Sequence, residues 1–179
     1  MPATSTERDP RCPIGKYSRA AANLTDRAGS IATLAALPEN LRSAVQGLSD
    51  SQLDTPYRDG GWTVRQLVHH VADSHMNAYI RIRLALTEDW PTIKPYDEKA
   101  WAELPDARTA PVQSSLEVID GLHNRWATLL RSLSEEQWQR GYNHPVNGRQ
   151  TIAEAVALYD WHSRHHVAHI TELRKRMSW

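Results

Sequence analysis

Nine histidines stand in 179 residues, and four of them fall within the stretch His162-Ser163-Arg164-His165-His166-Val167-Ala168-His169. The stretch reads as helix, and on a helix residues four apart lie on one face, one turn above the other. His162 and His166 therefore project side by side, the geometry in which two imidazoles share one metal ion. His169 follows three residues later, close to the same line, whereas His165 points away from that line and is expected at the surface. Two ligands make an incomplete site, so a third has to come from another element.

The helix that carries this pair is predicted to start at Thr151, with Glu154 as its capping-box partner, and to run to about Met177. Its apolar line is Ile152, Val156, Tyr159, Ile170 and Leu173. A second long helix opens with Thr63 as N-cap and Gln66 three residues on, and no Gly or Pro interrupts it before Pro91, so it is expected over residues 64–87. Val64, Leu67, Val68, Val71, Ala78, Ile82 and Ala85 supply its buried face, and beside them runs a polar stripe of His70, Ser74, Asn77 and Arg81. A solvated face would be expected to carry Lys and Glu. One reading makes His70 the start of a polar pocket wall; the other makes the stripe a plain surface. If the wall is real, His69 or His70 is the missing ligand, and His70 is the better choice because it shares the stripe.

The remainder of the chain is also helical in pattern. Ile31, Leu34 and Leu37, then Leu41, Val45 and Leu48, repeat at threes and fours, and Pro38 is expected to divide them into two helices, to Ala36 and from Pro38 to Gly47. Residues 49–61 read as a loop. Residues 88–111 hold four prolines and form a long excursion with one helical turn near Trp101, the kind of loop that is usually functional. Residues 112–133 return to helix, with Leu116, Ile119, Leu122, His123, Trp126, Leu129, Leu130 and Leu133 in register; 134–137 cap a short turn, and 142–149 are a turn-rich connection. No strand pattern of useful length is present. The fold class is all-α: a four-helix bundle over residues 16–179, preceded by an arm over 1–15 and carrying a long loop between its second and third main helices.

Composition narrows the function classes. Lys+Arg and Asp+Glu both number 21, which leaves no net field to attract nucleic acid or an acidic membrane. No apolar run is long enough to span a bilayer, and the N-terminus has no apolar signal region. The single cysteine, Cys12, excludes an internal disulfide and is read as incidental. These features describe a soluble cytoplasmic domain, with no nucleic-acid or membrane partner.

Several blocks of the chain resemble one family. They are Pro13-Ile14-Gly15-Lys16-Tyr17, Asp59-Gly60-Gly61-Trp62-Thr63-Val64-Arg65-Gln66, His69-His70-Val71-Ala72-Asp73-Ser74-His75, Lys94-Pro95-Tyr96-Asp97, Trp101-Ala102-Glu103-Leu104-Pro105, and the closing Trp161 to Ile170. They resemble the DinB/YfiT-like metalloprotein superfamily, in particular its YfiT branch of metal-dependent hydrolases, over most of residues 13–175. The resemblance implies a four-helix bundle, a cytoplasmic homodimer, and one divalent ion, zinc or nickel, held by His70, His162 and His166. It places His169 beside the ligands rather than among them.

Three neutral histidines leave a +2 charge and an open coordination position, the layout of a catalytic zinc site. Such an ion lowers the pKa of bound water to about 7 or polarises a carbonyl, and it can equally deprotonate a thiol. A hydrolase also needs a general base. Ser163 stands where a zincin helix has Glu, and Asp73, one turn from His70, is the candidate instead. The expectation is therefore a metal-dependent hydrolase. The alternatives are a metal-dependent S-transferase for a low-molecular-weight thiol such as bacillithiol, with Arg81 or Asn77 holding carboxylates, and a non-enzymatic dimeric metal-binding stress protein.

Overall fold

The computed structural model describes residues 9–179, so the first half of the expected arm lies outside the described residues. Four long helices make up the bundle: α1 (Arg27–Val45), α3 (Val64–Thr87), α6 (Val112–Arg131) and α8 (Ile152–Met177). Shorter pieces connect them, namely α2 (Asp50–Leu53), α4 (Glu98–Ala102), α5 (Pro105–Thr109) and α7 (Glu135–Gln139). The starts of the two chemistry-bearing helices are set as their sequence dictates. The side chains of Thr63 and Thr151 accept from the backbone of Gln66 and Glu154, whose side chains accept from the cap residue's own N–H in return.

α1 packs beside α8 and α6, and α3 packs beside α6 and α8. The long helices therefore stand in the cyclic order α1–α6–α3–α8, with α1 and α3 on one diagonal and α6 and α8 on the other. Consecutive elements usually lie side by side. Here the connections from α1 to α3 and from α6 to α8 each cross the bundle.

Pro38 does not divide α1, which is continuous from Arg27 to Val45 with the proline inside it. A proline in a helix interior costs about 3 kcal/mol, because it lacks the N–H that would bond four residues back. The carbonyl it leaves without a helical donor belongs to Leu34, and His123 Nδ1 of α6 donates to that oxygen at 2.7 Å. An outside donor thus takes the orphaned acceptor, and the helix carries on.

Residues 142–149 also differ from expectation. They lie within a two-stranded antiparallel hairpin, β1 (Gly141–His144) and β2 (Gly148–Thr151). Strands of four residues are too short to show alternation in sequence. Gly141 is required there, since a Cβ would sit 2.1 Å from the Gln150 carbonyl oxygen and 2.8 Å from the Trp90 ring. The 88–111 excursion holds two helical turns instead of one and packs on α3 and the hairpin. Asn143 N–H donates to the Pro91 carbonyl at 2.9 Å, and the Gln66 side chain donates to the Ala102 carbonyl at 2.8 Å.

The apolar core is in two clusters. One gathers Ile31, Leu34, Ala78, Ile82, Trp126, Tyr142, Ile152 and Tyr159; the other gathers Leu37, Leu41, Leu67, Val68, Ile119, Ile170 and Leu173. Every long helix contributes to both, and on α3, α6 and α8 the residues between the two contributions include histidines: His75, His123, His162 and His166. A polar layer thus crosses the bundle at mid-height. Among the described residues no helix is long and apolar enough to cross a membrane.

Candidate metal centre

His162 and His166 lie one turn apart on α8, with ring centroids 4.3 Å apart, and His70 reaches them from α3 at 5.5 and 5.0 Å. One ring nitrogen from each of the three converges, all within 4.8 Å of one another. Nε2 of His162 stands 3.1 Å from Nε2 of His166. Two nitrogens bound to one ion at about 2.0–2.1 Å, at a tetrahedral angle, are about 3.3 Å apart. The pair is already at bite distance. His70 and His166 are buried, and His162 is half-buried.

Burial keeps these rings neutral. His70 is pushed down to about 4 by burial, and His162 and His166 are held well below the usual histidine range, by burial first and then by the neighbouring rings. A neutral imidazole offers the lone pair a metal requires, so the donor set suits a divalent ion at neutral pH.

Each α8 ring is held from behind. His162 Nδ1 meets His75 Nε2 at 3.0 Å, His75 Nδ1 meets His123 Nε2 at 3.0 Å, and His123 ends on the Leu34 carbonyl. His166 Nδ1 meets His169 Nδ1 at 3.3 Å, and His169 Nε2 meets the Arg11 carbonyl at 3.4 Å. Residues 9–15 therefore lie against the bundle beside the cluster; Pro13 is buried and Cys12 is a half-buried free thiol. Tyr57 stacks on His169 with ring centroids 4.2 Å apart, and Trp62 packs on His70 at 4.6 Å.

The other sequence candidates have separate surroundings. His69 bonds Ser115 Oγ at 2.7 Å and the Ala110 carbonyl at 3.2 Å, tying α3 to the entry of α6 and leaving the cluster to His70. His165 is buried rather than at the surface, stacked on Trp161 at 4.2 Å, on a face of α8 where Tyr17 packs on Trp161 and the Arg11 carbonyl meets His169. Ser163 Oγ donates to the Tyr159 carbonyl at 2.6 Å, within its own helix. Asp73 is half-buried, one turn beyond His70, and burial together with the charge of Asp106 pushes its carboxyl up to about 6. Ser74 Oγ lies 3.3 Å from the Tyr159 hydroxyl. The Asn77 amide donates one of its two N–H groups to the Asp73 carbonyl at 2.8 Å, within α3. Arg81 is only 9 % exposed, and its Nε has no hydrogen-bond partner among the described residues.

His75, His123, Tyr96 and Tyr159 were not singled out by spacing. His75 and His123 are fully buried behind the cluster. Burial pushes the Tyr96 phenol of the excursion up, and the Tyr159 ring lies 5.4 Å from that of His162. A histidine in the otherwise apolar register of α6 was the available signal for His123.

Comparisons with known proteins identify the family and the fold. A family model described as the DinB superfamily matches residues 33–170. "Putative metal-dependent hydrolase YfiT" of Bacillus subtilis (strain 168) is 54% identical over 169 residues, covering 93% of this chain and 95% of that one. A relative of similar name from Bacillus cereus (strain B4264) is 59% identical over 143 residues, 80% of this chain and 82% of its own. The solved structure of YfiT from Bacillus subtilis, described as a probable metal-dependent hydrolase with an unusual four-helix bundle topology, superposes with a TM-score of 0.91 at 52% identity, covering 95% of this chain and 98% of that one. The chain belongs to the DinB superfamily.

Proposed function

We propose that this chain is a metal-dependent hydrolase of small molecules in which His70, His162 and His166 hold one divalent ion, Zn2+ or Ni2+. The observation that carries the reading is the convergence of three neutral imidazole nitrogens within 4.8 Å, two of them 3.1 Å apart. Three protein ligands and a free position are the layout of catalytic zinc, whereas structural zinc is closed by four. When bound, the ion supplies Lewis acidity, which activates a water or thiol and polarises a carbonyl.

The chain's own groups do the remaining work. Asp73, with its carboxyl raised to about 6, is ionised at neutral pH and still basic enough to take a proton from the nucleophile. The stripe runs on from Asp73 through Ser74 and Tyr159 to Arg81, whose charge is felt by Tyr142 and Tyr159. A buried guanidinium with an unused donor favours a substrate that carries a carboxylate or another anionic group.

That same arginine supports a second reading, S-transfer of a low-molecular-weight thiol such as bacillithiol, with Arg81 holding its carboxylates. Ser163 adds to it, since the position that carries the base on a zincin helix is here a serine bonded into its own helix. Asn77 gives one of its two amide donors to the Asp73 carbonyl, which leaves it the weaker carboxylate holder of the two.

Elemental analysis of purified variants tests the site. His70→Ala, His162→Ala and His166→Ala are each expected to lose the metal and His165→Ala to keep it; wild-type occupancy in the first three sinks the assignment. One metal-loaded preparation assayed for ester or amide hydrolysis and for thiol conjugation separates the two reactions, and activity in neither favours a metal-binding protein without catalysis.

A further inference from the structure

The hydrogen bonds behind the cluster have a direction, and that direction is fixed at their far ends. A carbonyl oxygen only accepts, and a neutral imidazole has one donor nitrogen and one acceptor. The Leu34 carbonyl therefore receives its bond from His123 Nδ1–H. That leaves His123 Nε2 as an acceptor, which His75 Nδ1–H fills, and leaves His75 Nε2 as an acceptor, which His162 Nδ1–H fills. His162 is left with its lone pair on Nε2. On the other side the Arg11 carbonyl fixes His169 Nε2–H, His169 Nδ1 accepts from His166 Nδ1–H, and His166 too is left with its lone pair on Nε2.

The 3.1 Å approach between these two Nε2 atoms then contains no proton. Two lone pairs face each other across it, an arrangement that repels unless a cation sits between them. The chain of donors also explains why a helix interior tolerates Pro38. Without that proline, the N–H of residue 38 would share the Leu34 carbonyl with His123, drawing the oxygen back into the helix's own ladder and weakening the acceptor that sets the direction.

We propose that His75 and His123 are positioning residues of the metal centre: bonded in series to the carbonyl that Pro38 leaves free, they hold His162 in its Nδ1–H form with the Nε2 lone pair aimed at the ion. Ligand histidines are commonly oriented through the other ring nitrogen by a carboxylate, carbonyl or water. Here two further histidines carry that orientation across the bundle, from α8 through α3 and α6 to α1. The role rests on the metal reading above, and the test keeps the two apart.

The full-length, metal-free protein is labelled with 15N-histidine and its ring tautomers are read from two-bond 1H–15N correlations at pH 7.5. Cobalt(II) uptake is then followed by its visible spectrum. The expected result is Nδ1–H and a bare Nε2 at His162, His75 and His123, with stoichiometric cobalt binding. His75→Phe is expected to lower cobalt affinity by roughly 10–100-fold, and His75→Gln, whose amide keeps one donor and one acceptor, to recover much of it. Pro38→Ala removes no histidine and improves the helix, so it cannot fail merely by misfolding; it is expected to raise Tm while weakening cobalt binding several-fold and shifting its absorption. A wild-type protein that takes up no cobalt overturns the metal centre and this role with it. Cobalt uptake by a protein whose His162 is protonated at Nε2, or unchanged affinity in both His75→Phe and Pro38→Ala, overturns the relay alone.

Discussion

Two supports hold the two α8 histidines, and they are built differently. Behind His162 stand His75 and His123, both fully buried on long helices, with contacts of 3.0, 3.0 and 2.7 Å ending on a helix carbonyl. Behind His166 stands a single ring, His169, with contacts of 3.3 and 3.4 Å ending on Arg11, in a turn that precedes the bundle. The first support draws on residues that cannot move without repacking the core, where loss of a buried partner costs about 1–3 kcal/mol. The second is closed by chain that lies on the surface and that water can replace. The centre thus has a stiff side and a soft side, and the soft side is where an ion, a substrate or the early part of the chain can still adjust the geometry.

The largest effects lie at the ends of the two supports, where the comparison should vanish. His162→Ala and His166→Ala each remove a ligand, and both are expected to abolish metal retention on purification. If one of them kept the metal, the supposed pair would be one ligand and one neighbour. One step back the two sides should separate. We expect His75→Phe to lower metal affinity by roughly 100-fold and His169→Phe by roughly 10-fold, within the range usual for groups that orient ligands, as read by competition with a chelator. Equal losses would mean that ring count and burial do not matter.

Acid should attack both sides, with a defined sign. His123 is pushed down to about 4 and His169 to about 3, chiefly by burial, whereas in the unfolded chain both titrate near the usual 6.5. Between those values the unfolded chain binds the extra protons. The stability these rings confer is therefore full above pH 6.5 and is lost as pH falls towards 4, each ring contributing about 1.4 kcal/mol per pH unit inside its window. Asp73 works the other way, since its carboxyl is raised to about 6 and folding favours its protonated form. Seven buried or nearly buried histidines around the centre outnumber that one carboxyl. Urea denaturation of the metal-free protein from pH 7.5 to 4.5 should show a steep decline beginning below pH 6.5. His123→Leu should flatten that slope by about one proton, and an unchanged slope would mean that His123 is not held neutral.

What the sequence disclosed about this centre follows the same division. His162, His166 and His70 were legible because helical spacing and a shared polar stripe put them on facing surfaces, and His169 because it continues the line. His75 was not, since five residues from His70 is about 140° around the helix, away from the stripe. His123 was concealed by its apolar register, where a histidine reads as one more core side chain. Pro38 was read as a break because local rules say so, and only the position of α6 reveals that its orphaned carbonyl has a donor. The four helices followed from periodicity and capping boxes. Their diagonal order did not, because it depends on which apolar faces meet rather than on any one helix.

The smallest predicted effect tests the soft side most directly. A chain shortened to begin at Cys12 lacks the Arg11 carbonyl, and His169 Nε2–H then turns to water. Its ring remains stacked on Tyr57 and bonded to His166, so orientation is weakened rather than abolished. A contact of 3.4 Å exchanged for a water contact is worth at most about 1 kcal/mol, so metal affinity should fall only a few-fold, mainly through faster release, with no change in Tm beyond a degree or two. His75→Phe must remain the more damaging change. Should the shortened chain lose metal as completely as that variant, the anchor on Arg11 would be as stiff as the one on Leu34, and the early chain would belong to the centre as fully as α1 does.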